Sequence, residues 1–169
     1  MYKEYENAKQ TKQKLKKIFV MQATEHGITS VSVNTIIKIA GINRSTFYIH
    51  YHNLAELILD IEKDVLKRFE RHLKQAQITT KQEFVNVVCD IAQQHASKIR
   101  FVVDCNCFCN MLNHTRDLLA KYIEPLVKPD ENKITSTYIS SGVVNVLRHC
   151  TLNNIDVNSV KNTLLNLIK

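Results

Sequence analysis

Residues 31–57 read VSVNTIIKIAGINRSTFYIHYHNLAEL, and the stretch indicates two short helices joined by a tight turn. Ser32 is a favourable N-cap, and the apolar residues after it recur at helical spacing, which predicts a helix over about residues 33–40. Gly41 interrupts that periodicity, and a second helix of about two turns is expected to begin at Arg44. This spacing predicts a helix-turn-helix, the arrangement in which the second helix enters the major groove of DNA.

The second helix of the pair carries a high density of polar side chains. Ile42 and Phe47 are expected to anchor it in the core, and Tyr51 is expected to lean inward at its end. The polar residues are then left on the outward side, where a recognition helix presents its side chains to DNA. These polar residues are Arg44, Ser45, Thr46, Tyr48 and His50.

The flanking sequence predicts further helices. Apolar residues recur at helical spacing over residues 11–26, and Gly27 is well placed to end that helix in a left-handed conformation. A long fourth helix follows, in which Asn53 can cap the first turn while Glu56 reaches back in a capping-box arrangement. After Thr80, four or five more helices are predicted. Because the chain has only 3 Gly and 2 Pro, long helices are favoured over a sheet, and the predicted fold class is all-α.

The net charge of +7 is concentrated in the N-terminal third. Residues 1–52 contain eight Lys or Arg against three Glu, whereas the remaining 117 residues contain fifteen basic against thirteen acidic residues. A local excess of this kind is expected where a protein meets a polyanion, and a solubilising basic tail is the alternative interpretation.

Several functional classes are disfavoured by the sequence. No apolar run is long enough to span a membrane, the N-terminus lacks the apolar core of a signal peptide, and the five cysteines are expected to be reduced thiols. A cytoplasmic protein without a membrane contact is therefore expected. No catalytic motif or phosphate-binding glycine loop occurs, so neither an enzyme nor a cofactor is expected.

The helix-turn-helix stretch resembles the DNA-binding domain of TetR-family transcriptional regulators. Their pattern is roughly T-V-x-x-I-A-x-x-A-G-V-S-x-x-T-x-Y-x-[HY]-F-x-[SN]-K-x-x-L, and the resemblance covers about residues 10–60. It departs from the family at Ile37, where a small residue is usual, and at Leu54, where a phosphate-binding lysine is usual. Lys12, Lys14, Lys16 and Lys17, placed before the first helix, are expected to offset that lost lysine. The positions that match or change conservatively are Val33, Ile36, Ala40, Gly41, Ile42, Thr46, Tyr48, Tyr51, Asn53 and Leu57.

The resemblance implies a role for each polar residue of the helix pair. Arg44 and Ser45 fall at positions that reach base edges, and Arg44 could donate two hydrogen bonds to a guanine. Other matching positions contact DNA elsewhere, mostly at backbone phosphates, which fix register rather than sequence. These other residues are Thr46, Tyr48 and His50, with Ser32, Asn34 and Thr35 at the start of the preceding helix.

The resemblance also implies two domains, a DNA-binding domain over residues 1–52 and a helical regulatory and dimerisation domain over residues 53–169. Two subunits would pair through the last two helices, predicted at about residues 133–150 and 156–168. The residues expected in this interface are Ile134, Tyr138, Val146, Leu147, Val160, Leu164, Leu167 and Ile168. A small-molecule effector of unknown identity is expected in a pocket lined by Phe84, Val88, Phe101, Cys105, Phe108, Met111, Tyr122 and Tyr138.

The function predicted from these features is a homodimeric repressor that binds a pseudo-palindromic operator in double-stranded DNA and is released by its ligand. Two alternatives stay open. One is a TetR-like activator or co-regulator that acts with a partner protein. The other is a metal or redox sensor built on Cys105, Cys107 and Cys109, which otherwise pack as small hydrophobic residues. His50 and His52 point away from each other on a helix, so no metal site is predicted.

Overall fold

The computed structural model describes the backbone of residues 2–104, 109–128 and 132–168, and the side chains of residues 6–95, 111–128 and 133–168. Within these ranges the chain forms eight α-helices and no strand, which confirms the predicted all-α fold. Short 3-10 turns precede α2, follow α6 and precede α8. The helices are α1 (Tyr2–His26), α2 (Val33–Ala40), α3 (Arg44–His50), α4 (Leu54–Gln75), α5 (Lys81–Asp104), α6 (Cys109–Ile123), α7 (Asn132–Asn153) and α8 (Lys161–Leu167).

Contacts within the chain divide it into two compact units, Met1–Asp64 and Val65–Lys169. The division lies inside α4, whereas the sequence analysis placed a domain boundary after residue 52. The reason is that the first half of α4 packs with the N-terminal helices. Leu57 is fully buried there, and the side chain of Asp60 bonds to α1.

In the N-terminal unit, α1 packs against α2 and the turn before it, and α2 packs against α3. These contacts bury the apolar stripe of α1 together with Ile36 and Ala40 of α2 and Phe47 of α3. The most deeply buried of these side chains are Leu15, Phe19, Ile36 and Phe47. Packing of this kind fixes the helix pair, because α2 and α3 are too short to be stable on their own.

Three details of the N-terminal unit differ from the prediction. The helix α1 begins at Tyr2 rather than near residue 11, so the helix extends through a polar segment that carries no apolar stripe. Gly27 has a positive φ of 81° but a ψ of 149°, which is not left-handed helical. Glu56 accepts a hydrogen bond at 2.7 Å from the backbone nitrogen of His52, whereas a capping box would use the backbone nitrogen of Asn53. The side chain of Asn53 caps α4 as predicted.

In the C-terminal unit, α7 packs against α5 and α6, and α8 packs against α5. Their facing stripes form one apolar cluster that includes Phe84, Val88, Leu119 and Leu164, each almost completely buried. Across the described part of the chain, no helix is both long enough and apolar enough to cross a membrane.

Candidate functional site

The helix α2 is capped at its start as the sequence predicts. Ser32 Oγ accepts a hydrogen bond from the backbone nitrogen of Thr35 at 3.1 Å and lies 2.9 Å from the Thr35 hydroxyl. The capping bond occupies one of the four backbone donors that a helix leaves unpaired at its N-terminus, and such ends favour anions. Asn34, the next polar residue, is exposed.

The turn between α2 and α3 requires its glycine. Gly41 has φ 63° and ψ 39°, the left-handed conformation in which a side chain is strained. The backbone nitrogen of Ile42 donates to Ile37 O at 3.2 Å, and the ammonium of Lys14 donates to Ala40 O at 2.7 Å. These bonds satisfy the last carbonyls of α2 and fix the direction in which the chain enters α3.

The outward face of α3 follows from the burial of Phe47, which is fully enclosed. Successive residues of a helix are rotated by about 100°, so Ser45 and Ile49 lie opposite Phe47. Tyr48 and Arg44 lie on one flank, about 100° and about 60° from Phe47, and both are exposed. The exposures agree, since Ile49 is 78% exposed and Tyr48 is 41% exposed. Ile49 was not among the residues predicted to contact DNA, although its spacing of four from Ser45 places it on the same outward face of α3.

Arg44, Tyr48 and Asn34 lie together on the exposed side of the helix pair. The guanidinium carbon of Arg44 is 5.6 Å from the centroid of the Tyr48 ring, and Nη2 donates to the Tyr48 hydroxyl at 3.3 Å. Its Nη1 lies 3.5 Å from Asn34 Oδ1 on the other helix. The sequence prediction assigned all three residues to DNA, and the structure brings them to one surface.

Thr46 and His50 lie at the edge of this face and are half-buried. Burial lowers the pKa of His50 below its ordinary value, and the positive charge of Lys12 lowers the pKa further. The free imidazole is therefore neutral at pH 7, and it can donate one hydrogen bond to a phosphate without carrying a charge.

The lysines expected to offset the missing contact at Leu54 have other partners. Lys16 Nζ lies 2.9 Å from Asp60 Oδ2 and 2.7 Å from Asp64 Oδ2, while Lys14 caps α2. Because α1 begins at Tyr2, none of these lysines precedes the first helix. Lys14 and Lys16 hold the N-terminal unit together, and the electrostatic offset by these lysines stays a prediction.

Tyr51 joins the same network from the end of α3. Its hydroxyl donates to Asp60 Oδ2 at 2.8 Å, and its ring lies beneath the Lys12 ammonium at 5.1 Å. Burial raises the pKa of Asp60, but the hydrogen bonds from Lys16 and Tyr51 outweigh burial and lower that pKa overall. The bonds tie the end of α3 to α4 and α1.

The C-terminal unit contains a cavity of about 70 Å³ among its helices. Its wall is almost entirely apolar, apart from Arg148 and two threonine hydroxyls. The residues of the wall are Val65, Leu66 and Phe69 of α4, Ala92 of α5, Met111, Leu112 and Thr115 of α6, and Val144, Leu147, Arg148 and Thr151 of α7.

The residues predicted to line a pocket are distributed differently. Met111 lines the cavity, whereas Phe84 and Val88 are fully buried in the core and do not line it. Tyr122 packs against the same core, and Tyr138 is 74% exposed. Phe101, Cys105 and Phe108 lie outside the residues whose side chains the structure describes.

The residues predicted for the dimer interface fall into two groups. Ile134, Tyr138 and Leu167 are 84%, 74% and 63% exposed, which leaves them available to a partner. The others pack within the chain, because the inner stripes of α7 and α8 face α5. These packed residues are Leu147, Leu164 and Ile168, which are buried, and Val146 and Val160, which are partly buried.

Cysteine and metal chemistry receive little support from the described residues. Burial raises the pKa of Cys89 to about 11 and also raises the pKa of Cys150, so both stay protonated at neutral pH. No group of three potential metal-binding side chains is found among the described residues. Cys105, Cys107 and Cys109 are outside the described side chains.

Solved structures of transcriptional regulators have the same fold as this chain. The fatty acid degradation regulator FadR from Bacillus halodurans matches with a TM-score of 0.73 and 15% sequence identity, over 94% of each chain. FadR from Bacillus subtilis in complex with stearoyl-CoA matches with a TM-score of 0.67 and 15% identity, over 92% of this chain and 96% of that chain. A TetR-family transcriptional regulator from Pectobacterium atrosepticum matches with a TM-score of 0.59 and 13% identity, over 96% and 92%.

At these identities the likeness establishes the fold, which is that of TetR-family transcriptional regulators. No protein-family model and no curated protein matches the sequence.

Proposed function

We propose that the protein is a DNA-binding transcriptional regulator, a homodimeric repressor that binds a pseudo-palindromic operator and is released by a small-molecule ligand. The observation that carries the proposal is the exposed face of α3, where Arg44, Ser45, Tyr48 and Ile49 stand over a fully buried Phe47. A recognition helix needs this combination of a rigid anchor and side chains that reach base edges.

Each exposed residue of the helix pair has a chemistry suited to DNA. Arg44 supplies a planar pair of donors for guanine, and Ile49 supplies an apolar contact for a thymine methyl group. Thr46, Tyr48 and His50 supply hydroxyl and imidazole donors for phosphates, with Ser32, Asn34 and Thr35 at the start of α2. We assign the +5 excess of residues 1–52 to long-range attraction, because Lys14 and Lys16 are held by other groups.

Dimerisation is proposed through α7 and α8. Ile134 and Tyr138 are one helical turn apart on α7, and Leu167 is an exposed leucine near the end of α8. Large apolar side chains with this exposure favour burial against a second copy. A two-fold dimer would place its reading helices in successive major grooves, roughly 34–36 Å apart.

Release by a ligand is proposed through the cavity of the C-terminal unit. The helix α4 contributes Val65, Leu66 and Phe69 to the cavity wall, and the same helix begins at Leu54 within the N-terminal unit. A ligand that favours one position of α4 would change the separation of the reading helices. The ligand would then lower the affinity for the operator, and the operator would lower the affinity for the ligand by the same factor.

The direct test is binding to DNA. Genomic fragments retained by the purified protein should share a two-fold symmetric motif, and transcription of the adjacent genes should rise when the gene for the protein is deleted. A fall in transcription on deletion would indicate that the protein is an activator and not a repressor. A homodimer that retains no fragment by itself would favour a co-regulator that needs a partner protein.

A further inference from the structure

Arg148 is the only charged side chain among the described residues that line the cavity. Its Nε atom is buried and has no hydrogen-bond partner among the residues that the structure describes. Buried donors nearly always have an acceptor, and a buried donor without one is destabilising. The position of Arg148 beside an empty, apolar space therefore requires an explanation.

Arg116 provides the contrast within the same unit. Its Nε and Nη2 donate to Asp117 Oδ1 at 3.0 and 2.8 Å, and its Nη1 donates to Asn113 Oδ1 at 3.3 Å. A neighbouring acceptor thus satisfies an arginine on the surface of α6, whereas the arginine at the cavity has none.

The remaining wall defines what could supply that acceptor. Thr115 and Thr151 are its other polar residues, and the Thr151 hydroxyl already donates to Leu147 O at 2.9 Å. No described residue of the wall is acidic. A ligand that fits must bring its own negative charge and be apolar elsewhere.

We propose that the effector is an aliphatic carboxylate whose carboxyl group pairs with Arg148 while its hydrocarbon body fills the cavity. The inference rests on the proposed function, because it gives the chemistry of the ligand that would act through this cavity. A cavity of about 150 Å³ holds one benzene molecule. The cavity here has a volume of about 70 Å³ and therefore favours a short hydrocarbon chain.

The test measures ligand binding to the full-length protein in the absence of DNA, by chemical-shift changes in NMR titrations. The probes are butanoate, hexanoate and octanoate, each compared with the alcohol and the amine of the same chain length. At least one carboxylate should bind roughly tenfold or more tightly than its alcohol, and the amines should not bind. Equal binding of acid and alcohol, or no binding of any carboxylate, would overturn the proposal.

Substitutions then assign the selectivity to one residue. Arg148→Met should weaken carboxylate binding to the level of the alcohol, and Arg148→Lys should retain part of it because the charge remains. Arg116→Met, which removes an arginine outside the cavity, should leave binding unchanged. If Arg148→Met still binds the carboxylate more tightly than the alcohol, the assignment to Arg148 is wrong. The comparison of acid with alcohol uses the wild-type protein, so it remains valid even if Arg148→Met unfolds.

The proposed function can fail separately from this inference. If a carboxylate binds through Arg148 but no genomic fragment is retained, the ligand assignment stands and the regulator is disproved. If fragments are retained and another class of molecule releases them while carboxylates do not bind, the regulator stands and the ligand assignment is lost.

Discussion

The guanidinium of Arg44 rests on the ring of Tyr48, with its central carbon 5.6 Å from the ring centroid and one nitrogen 3.3 Å from the phenol oxygen. The two residues are one turn apart on α3, so the contact holds the arginine along the exposed face. A cation over an aromatic ring is worth about 0.5–1 kcal/mol at an exposed site. In the proposed complex, this contact would reduce the entropy that Arg44 loses on binding a base.

Replacing Arg44 by lysine should reduce specificity more than general affinity. The charge is retained but the planar pair of donors is lost, so affinity for the operator should fall roughly ten- to hundredfold while affinity for unrelated DNA changes little. Fluorescence anisotropy at one fixed salt concentration measures both. Lys17→Ala, which removes an exposed cation from α1, is the control. An equal loss on both DNAs would show that Arg44 contacts only phosphates.

Ile49 should read one A·T pair of the operator. Its side chain is 78% exposed at the centre of the outward face, where a thymine methyl group would bury it. Ile49→Ala should lower operator affinity by about 1 kcal/mol and relax the preference at a single position. Competition between operators that differ at one base pair detects the change. The control is Ile39→Ala, at an exposed isoleucine of α2, which should leave the base preference intact. If Ile49→Ala also leaves the preference unchanged, Ile49 does not contact the bases.

Operator affinity should increase as the pH falls from about 8 to about 6, because of His50. Burial and Lys12 lower the pKa of His50 in the free protein. A bound phosphate favours the imidazolium, so the pKa is higher in the complex and binding takes up a proton. Affinity should rise by about tenfold per pH unit between the pKa of the complex and the lower pKa of the free protein, and it should level off below the pKa of the free protein.

His50→Gln should flatten this pH dependence, whereas His52→Gln should preserve it. His52 is exposed and paired with Glu56, away from the outward face of α3. Titration of each variant with operator DNA over the same pH range gives the comparison. A wild-type affinity that is constant with pH would argue against a phosphate contact at His50.

Lys16 should matter for stability more than for DNA. Its side chain is only 16% exposed and pairs with both Asp60 and Asp64. Lys16→Met removes the cation that pairs with Asp64 and leaves Asp60 only the more distant Lys12, 4.0 Å away. We expect a loss of about 1–3 kcal/mol in the free energy of unfolding of the N-terminal unit. Urea denaturation followed by far-ultraviolet circular dichroism measures the loss. The control is Lys17→Met, at the exposed neighbouring position, which should change the free energy of unfolding by less than about 0.5 kcal/mol. If the Lys16→Met and Lys17→Met proteins lose equal stability, the ion pairs of Lys16 contribute nothing.

Tyr138 should control the oligomeric state. Tyr138→Glu places a charge on an apolar surface next to Ile134, and we expect the dimer to dissociate because a buried, unpaired carboxylate is costly. Light scattering after size-exclusion chromatography should report half the wild-type mass. Asn145→Glu, at an exposed polar position of the same helix, is the matched comparison. A wild-type protein that is already monomeric would refute the proposed interface directly.

The helix pair could be predicted from sequence because its signals are local. Ser32 caps α2, Gly41 takes the left-handed conformation and Phe47 repeats the helical period, all within sixteen residues of one another. Each feature depends on near neighbours in the chain, and the structure places them as expected. The start of α1 was misplaced for the same reason, since the polar residues at the beginning of that helix give no local pattern.

Long-range packing could not be predicted in the same way. The bond between Lys16 and Asp64 joins residues 48 positions apart, and no spacing rule selects that pair from the other charges. The cavity poses the same difficulty, because Phe84 and Met111 have similar apolar patterns but only Met111 lines it. Arg148 was not predicted to line the cavity, since its place there depends on how α7 packs against its neighbours.

The measurement that tests the central claim most directly is the selection of genomic DNA by the wild-type protein and by Arg44→Ala in parallel. We predict that the wild type enriches a two-fold symmetric motif whose half-sites are one helical turn of DNA apart, and that Arg44→Ala loses enrichment of that motif. Enrichment of no motif by the wild type, or of the same motif to the same extent by both proteins, would contradict the assignment of α3 as the reading helix.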